Sequence, residues 1–116
     1  MVDDEAAVRD SLVAQLARLG ANVDAAPGID EAYGYLGKTA YDVLLVDVRL
    51  HGRSGIEIHR DLVQAQSPLA ERIVFMTGDL VNDDVARAVR ATGRPLLEKP
   101  FSGEELRRAL LATAGA

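Results

Sequence analysis

The chain has 116 residues, 48% of them apolar, with 13 Lys and Arg against 18 Asp and Glu, a formal net charge of −5 and no cysteine. One core forms unaided at this length, so a single domain over residues 1–116 is expected, and the missing cysteines exclude disulfide frameworks, thiolate zinc sites and cysteine nucleophiles and suit a reducing, cytoplasmic setting. The acidic balance without any Lys/Arg cluster argues against a nucleic-acid surface, and the longest apolar run, residues 43–46, is far short of the roughly 20 residues that cross a bilayer, so neither nucleic acid nor direct membrane contact is expected.

Val8, Leu12, Leu16 and Leu19 recur at helical spacing and end at Gly20, which readily closes a helix in the left-handed conformation; this predicts a first helix. Residues 22–25 read as a short strand, and Pro27-Gly28 breaks the chain before a helix over about residues 30–36. Residues 41–48 are different. Val43, Leu44, Leu45 and Val46 are apolar without alternation, as in a parallel strand covered on both faces. After a glycine-containing loop, Ser54-Gly55-Ile56-Glu57 matches a capping box, and Ile58, Leu62 and Val63 carry a helix towards Ser67-Pro68. Residues 73–76 predict a second buried strand, residues 79–91 another helix, and Pro95-Leu96-Leu97 a short edge strand, where proline is tolerated. Ser102-Gly103-Glu104-Glu105 is a second capping box before the last helix.

Strands alternating with helices from end to end give an α/β fold with a doubly wound parallel sheet. The strand that should precede the first helix is truncated to Met1-Val2, and because two residues cannot satisfy neighbouring strands along their length, upstream residues are expected in the natural protein.

In an open parallel sheet, ligands bind at the carboxyl ends of the strands. Here those ends carry Asp3-Asp4, Asp47, Thr77-Gly78 and Lys99-Pro100. Each has a plainer explanation as a cap, a turn or a surface charge. Together they bring carboxylates, a hydroxyl and a cation to one edge, and three close carboxylates repel one another unless a cation joins them. Lys99 supplies one positive charge. Oxygen donors without histidine or cysteine suit a hard divalent ion, Mg²⁺ above all. A carboxylate beside Mg²⁺, with a hydroxyl and an ammonium in reach, suits phosphoryl transfer, and Asp47, ending the most central strand, is the candidate nucleophile.

At these residues the chain resembles the response regulator receiver domain. The family's acidic pair resembles Val2-Asp3-Asp4-Glu5, its phosphorylated aspartate Asp47, its hydroxyl position Thr77 in Phe75-Met76-Thr77-Gly78, and its lysine Lys99 in Glu98-Lys99-Pro100-Phe101; Gly55 matches the glycine eight residues beyond the acceptor. The resemblance implies a five-stranded flavodoxin-like sheet of order 2-1-3-4-5. It implies that Asp4 and Asp47 hold Mg²⁺ with the backbone carbonyl of Arg49, that Asp3 acts through water, and that Thr77 and Lys99 hold the phosphoryl oxygens. It further implies a cis Lys99-Pro100 bond, a histidine kinase or histidine phosphotransfer domain as phosphodonor, a possible weak homodimer, and a module that is not an enzyme but assists its own phosphorylation and dephosphorylation.

Some residues depart from the family pattern. His51 stands where proline is common and reads as an exposed loop histidine rather than a metal ligand; Leu96 stands where many members carry Tyr or Phe. His59 reads as lying on a solvated helix face. Arg49 and Asp79 either pair across the pocket or are unrelated surface charges. The segment from Arg94 to Phe101 resembles receivers at the C-terminus of hybrid histidine kinases. Two alternatives are weaker. A haloacid dehalogenase-type hydrolase needs a second Asp where Arg49 stands, and an unphosphorylated interaction module would be favoured had an acidic or lysine position been lost.

Overall fold

The computed structural model describes residues 1–78 and 83–114. In chain order these form α1 (Ala6–Arg18), α2 (Ile29–Leu36), β1 (Leu44–Asp47), β2 (Arg49–Leu50), β3 (Arg53–Ser54), α3 (Ile56–Gln64), a 3-10 turn (Pro68–Glu71), β4 (Ile73–Thr77), α4 (Asp83–Thr92), β5 (Leu96–Glu98) and α5 (Gly103–Ala114). The expected helix over residues 79–91 is thus met from Asp83 onward, and residues 79–82 lie outside the described residues.

β1, β4 and β5 pair in parallel in that order, with Leu44 opposite Ile73 and Phe75 opposite Leu96. Beyond β1, Val2 makes single parallel bridges to Val46 on one side and Ala26 on the other. Its N–H donates to the Leu45 carbonyl at 2.8 Å, the Asp47 N–H donates to the Val2 carbonyl at 2.9 Å, and the Asp3 N–H donates to the Ala26 carbonyl at 3.1 Å. The order across the sheet is therefore the 2-1-3-4-5 order, but its first two members are single-residue bridges rather than strands. Residues 22–25 form no strand; the bridge falls on Ala26, whose N–H donates to the Met1 carbonyl at 2.9 Å, while the Met1 ammonium donates to the Asp24 carbonyl at 2.8 Å.

Alternate residues of β1 and β4 face opposite layers, as a doubly wound sheet requires. Leu44, Val46, Ile73 and Phe75 pack with Ile29 and Ala32 of α2, Ile58 of α3 and Val89 of α4. Leu45, Val74 and Met76 pack with Leu12 and Leu16 of α1 and Leu106 of α5. Both strands are buried throughout, which is why they lack polar alternation.

The glycine-containing loop is an antiparallel hairpin, β2 against β3, turned by His51 (φ 49°) and Gly52 (φ 78°). Positive φ at both central residues matches the twist of a two-residue hairpin. This hairpin displaces the expected capping box. Ser54 belongs to β3, its Oγ accepts from the Ile56 N–H at 3.2 Å, Gly55 caps the helix instead, and Glu57 turns to Arg53 at 3.3 Å. The second capping box forms reciprocally: the Glu105 N–H donates to Ser102 Oγ at 3.0 Å and the Ser102 N–H to Glu105 Oε1 at 3.3 Å.

Candidate functional site

The carboxyl edge of the sheet gathers the polar residues that the core cannot hold. Asp3 follows the Val2 bridge, Asp47 ends β1 and Thr77 ends β4; their relative exposures are 0%, 6% and 1%. Lys99 follows β5, its N–H donating to the Thr77 carbonyl at 2.7 Å, and Lys99-Pro100 is cis.

Lys99 Nζ donates to Asp3 Oδ2 at 2.7 Å and to Asp47 Oδ2 at 2.8 Å. The remaining carboxylate oxygens are held by backbone: the Glu5 N–H donates to Asp3 Oδ1 and the Arg49 N–H to Asp47 Oδ1, each at 3.0 Å. Asp4 is half-buried, and its Oδ2 accepts the His51 N–H at 3.0 Å. One carboxylate oxygen from each of Asp3, Asp4 and Asp47 lies within 4.8 Å of the others.

Burial pushes the Asp47 carboxyl above the usual range, against the pull of the Lys99 and Arg49 hydrogen bonds, and the neighbouring Asp3 charge pushes the same way as burial. Burial alone would lower the Lys99 ammonium, but its bonds to Asp3 and Asp47 outweigh that and leave it raised. One ammonium thus serves two buried carboxylates, with a third beside them. Three clustered oxygen donors with a net negative charge, and no histidine or thiol among them, fit a hard divalent cation such as Mg²⁺.

Of the residues singled out in the sequence, Asp3, Asp4, Asp47 and Lys99 are brought together, Thr77 is buried at the neighbouring strand end, and Arg49 adjoins through its backbone. Asp79 lies outside the described residues, and with it the expected pairing to Arg49. His51 has an exposed ring, with Nδ1 3.7 Å from Asp4 Oδ2. His59 is a correction. Its ring is half-buried and packs edge-on to Phe75, centroids 6.5 Å apart, because α3 lies over β4 there. Leu96 is half-buried against the layer that holds Phe75 and Val89. One contact went unread in the sequence: Arg9 Nη1 donates to the backbone carbonyl of Asp3 at 2.9 Å, holding the acidic pair from α1. Its trace was an arginine five residues after Asp4, one helical turn from the edge.

A sequence model of the response regulator receiver domain matches residues 1–111. The chain is 35% identical over 112 residues to the transcriptional regulatory protein FixJ of Bradyrhizobium diazoefficiens, covering 91% of this chain and 51% of FixJ. It is 30% identical over 112 residues to the two-component response regulator PhoP of Pseudomonas aeruginosa, covering 97% of this chain and 49% of PhoP. Chemotaxis protein CheY4 of Vibrio cholerae superposes with a TM-score of 0.82 at 26% identity, over 97% of this chain and 93% of CheY4. The chain spans about half the length of the curated relatives it matches. Among the described residues, no helix is long and apolar enough to cross a membrane.

Proposed function

Since this chain belongs to the response regulator receiver domain family, a phosphoacceptor module of two-component signalling, we propose that Asp47 is its phosphoacceptor and that the donor is a phosphohistidine on a histidine kinase or histidine phosphotransfer domain. The observation that carries the assignment is the double hydrogen bond from Lys99 to Asp3 and Asp47 at the carboxyl ends of the strands. In the transfer, an Asp47 carboxylate oxygen forms a bond to phosphorus while the donor's P–N bond breaks, its electron pair leaving on the imidazole nitrogen. The product is an acyl phosphate on Asp47.

This chain's residues do the positioning. Backbone N–H of Arg49 fixes one Asp47 oxygen and Lys99 the other, so the carboxylate is oriented before the donor arrives. Asp3, Asp4, Asp47 and the Arg49 carbonyl would hold Mg²⁺, which supplies charge neutralisation for the incoming phosphoryl group. Lys99 and Thr77 take the phosphoryl oxygens, the ammonium shifting from carboxylate to phosphoryl. The domain is read as an acceptor that assists its own phosphorylation and dephosphorylation rather than an enzyme with an external substrate, occupying residues 1–116 and working in the cytoplasm, with a weak homodimer as a further expectation.

The test is incubation with acetyl phosphate. Intact mass should rise by one phosphoryl group only with Mg²⁺ present, and Asp47→Asn should abolish the rise. Undiminished labelling of Asp47→Asn would remove Asp47 from the role.

A further inference from the structure

At the opposite, amino end of the sheet a groove of about 600 Å³ lies between α3, the 3-10 turn and the bend leading into β5. His59, Ser67, Glu71 and Arg94 line it. Arg94 is half-buried and its Nε donates to the Ile73 carbonyl at 3.0 Å, which pins the guanidinium to the start of β4. Its terminal nitrogens have no acceptor or carboxylate partner among the described residues. Those nitrogens stay open to solvent at the groove, and the planar fork of a guanidinium held in place by its Nε is suited to an oxyanion.

The rest of the lining supplies hydrogen-bond donors. His59 is fixed edge-on to Phe75 and its ring is held towards the neutral form by burial and by the Arg94 charge, so it offers one N–H without adding a full cation. Ser67 Oγ accepts from the Leu69 N–H at 3.2 Å, which leaves its hydroxyl proton to donate. Glu71 is exposed and is the one carboxylate in the lining; it opposes an anion from the rim.

We propose that this groove binds a phosphate-type oxyanion, free or as the head of a small organic phosphate, with Arg94 as the charge partner and His59 and Ser67 as neutral donors. The volume exceeds that of the anion alone and leaves room for an organic portion. Bound there, the anion ties α3 to the turn between α4 and β5, remote from Asp47, so the site is independent of the phosphoacceptor assignment.

The experiment titrates the Mg²⁺-free full chain with inorganic phosphate and, separately, with glycerol phosphate, against chloride at matched ionic strength, following the His59 ring C–H and Arg94 Nε–H resonances. Saturable shifts at both are expected. They should weaken about tenfold or more in Arg94→Gln, lie between in Arg94→Lys, tighten in Glu71→Gln and persist in Asp47→Asn. Tighter binding of glycerol phosphate assigns the site to organic phosphates, and equal binding to free phosphate. Shifts that fail to saturate, that chloride reproduces, that survive Arg94→Gln or Arg94→Lys undiminished, or that centre on Lys99 instead would overturn the proposal.

Discussion

Gly55 approaches Asp47 so closely that a Cβ built on it would lie 2.1 Å from the Asp47 carbonyl oxygen. The obstructing atom is backbone, and Val46 Cγ1 at 2.7 Å blocks the other way out. The need for glycine is therefore steric, since Gly55 has ordinary helical angles, φ −61° and ψ −18°. Gly55→Ala must push α3 away from the end of β1, at a cost of about 2 to 3 kcal/mol. Gly34, in the middle of α2 with open space around it, gives the contrast: Gly34→Ala should stabilise by about 0.5 to 1 kcal/mol. Urea denaturation of the two variants reads both signs, and a neutral Gly55→Ala would contradict the packing.

Lys99 is the shared counter-charge of two buried carboxylates, so its removal leaves both unpaired. Lys99→Met is expected to lose about 3 kcal/mol at neutral pH, because stranded charges cost more than the pair contributed. Added Mg²⁺ should restore part of that loss, since binding to the folded state alone stabilises it. The measurement is the thermal midpoint with and without MgCl₂. A midpoint equal to the parent's in metal-free buffer, or a smaller Mg²⁺ response than the parent's, would contradict it.

The sheet was legible because β1 and β4 are covered on both faces, and continuous apolar runs such as residues 43–46 have few other homes. The candidate site was legible because its polar residues sit at strand ends: Asp47 and Thr77 each close an apolar run, and Lys99 follows directly on β5. The β2–β3 hairpin was not. Two residues per strand give no alternation to count, and His51-Gly52 is a weak turn signal beside Asn-Gly. Nor could the sequence show that Ser54 would be taken by that hairpin and lost to the helix cap. The Arg9 bond to the Asp3 carbonyl ends on backbone and leaves no pairing pattern, and the burial of His59 depends on where Phe75 lies in β4.

Tyr33 donates its phenol to Asp61 and so joins α2 to α3. Burial, then that hydrogen bond, then the Asp61 and Glu57 charges push its pKa up to about 12, with Arg53 acting the other way. The folded state thus holds the proton more tightly than the unfolded chain, whose phenol titrates near 10. The stabilisation is complete below pH 10 or so and is lost as pH rises through about 12. Tyr33→Phe should cost about 1 kcal/mol at neutral pH and less above pH 12 or so. Absorbance titration of parent against Tyr33→Phe isolates this phenol, and an ordinary midpoint near 10 would refute the coupling.

His51 occupies the position where relatives commonly carry proline, and here proline should fail. Its φ is 49°, whereas the pyrrolidine ring fixes φ near −65°, so the hairpin turn cannot form around it. Proline would also delete the N–H that donates to Asp4 Oδ2 at 3.0 Å, leaving that half-buried carboxylate oxygen without its backbone partner. The exposed ring contributes less, since its Nδ1 stands 3.7 Å from the same oxygen. His51→Pro is therefore expected to lose about 2 to 3 kcal/mol and the amide-exchange protection of β2 and β3. His51→Asn keeps the N–H and tolerates positive φ, so it should match the parent or exceed it slightly. Denaturation midpoints of the two variants, with hydrogen exchange at Leu50 and Arg53, decide the matter. Equal stability of the proline and asparagine variants would show that this turn readily takes another form, and would return His51 to the role of an incidental loop residue.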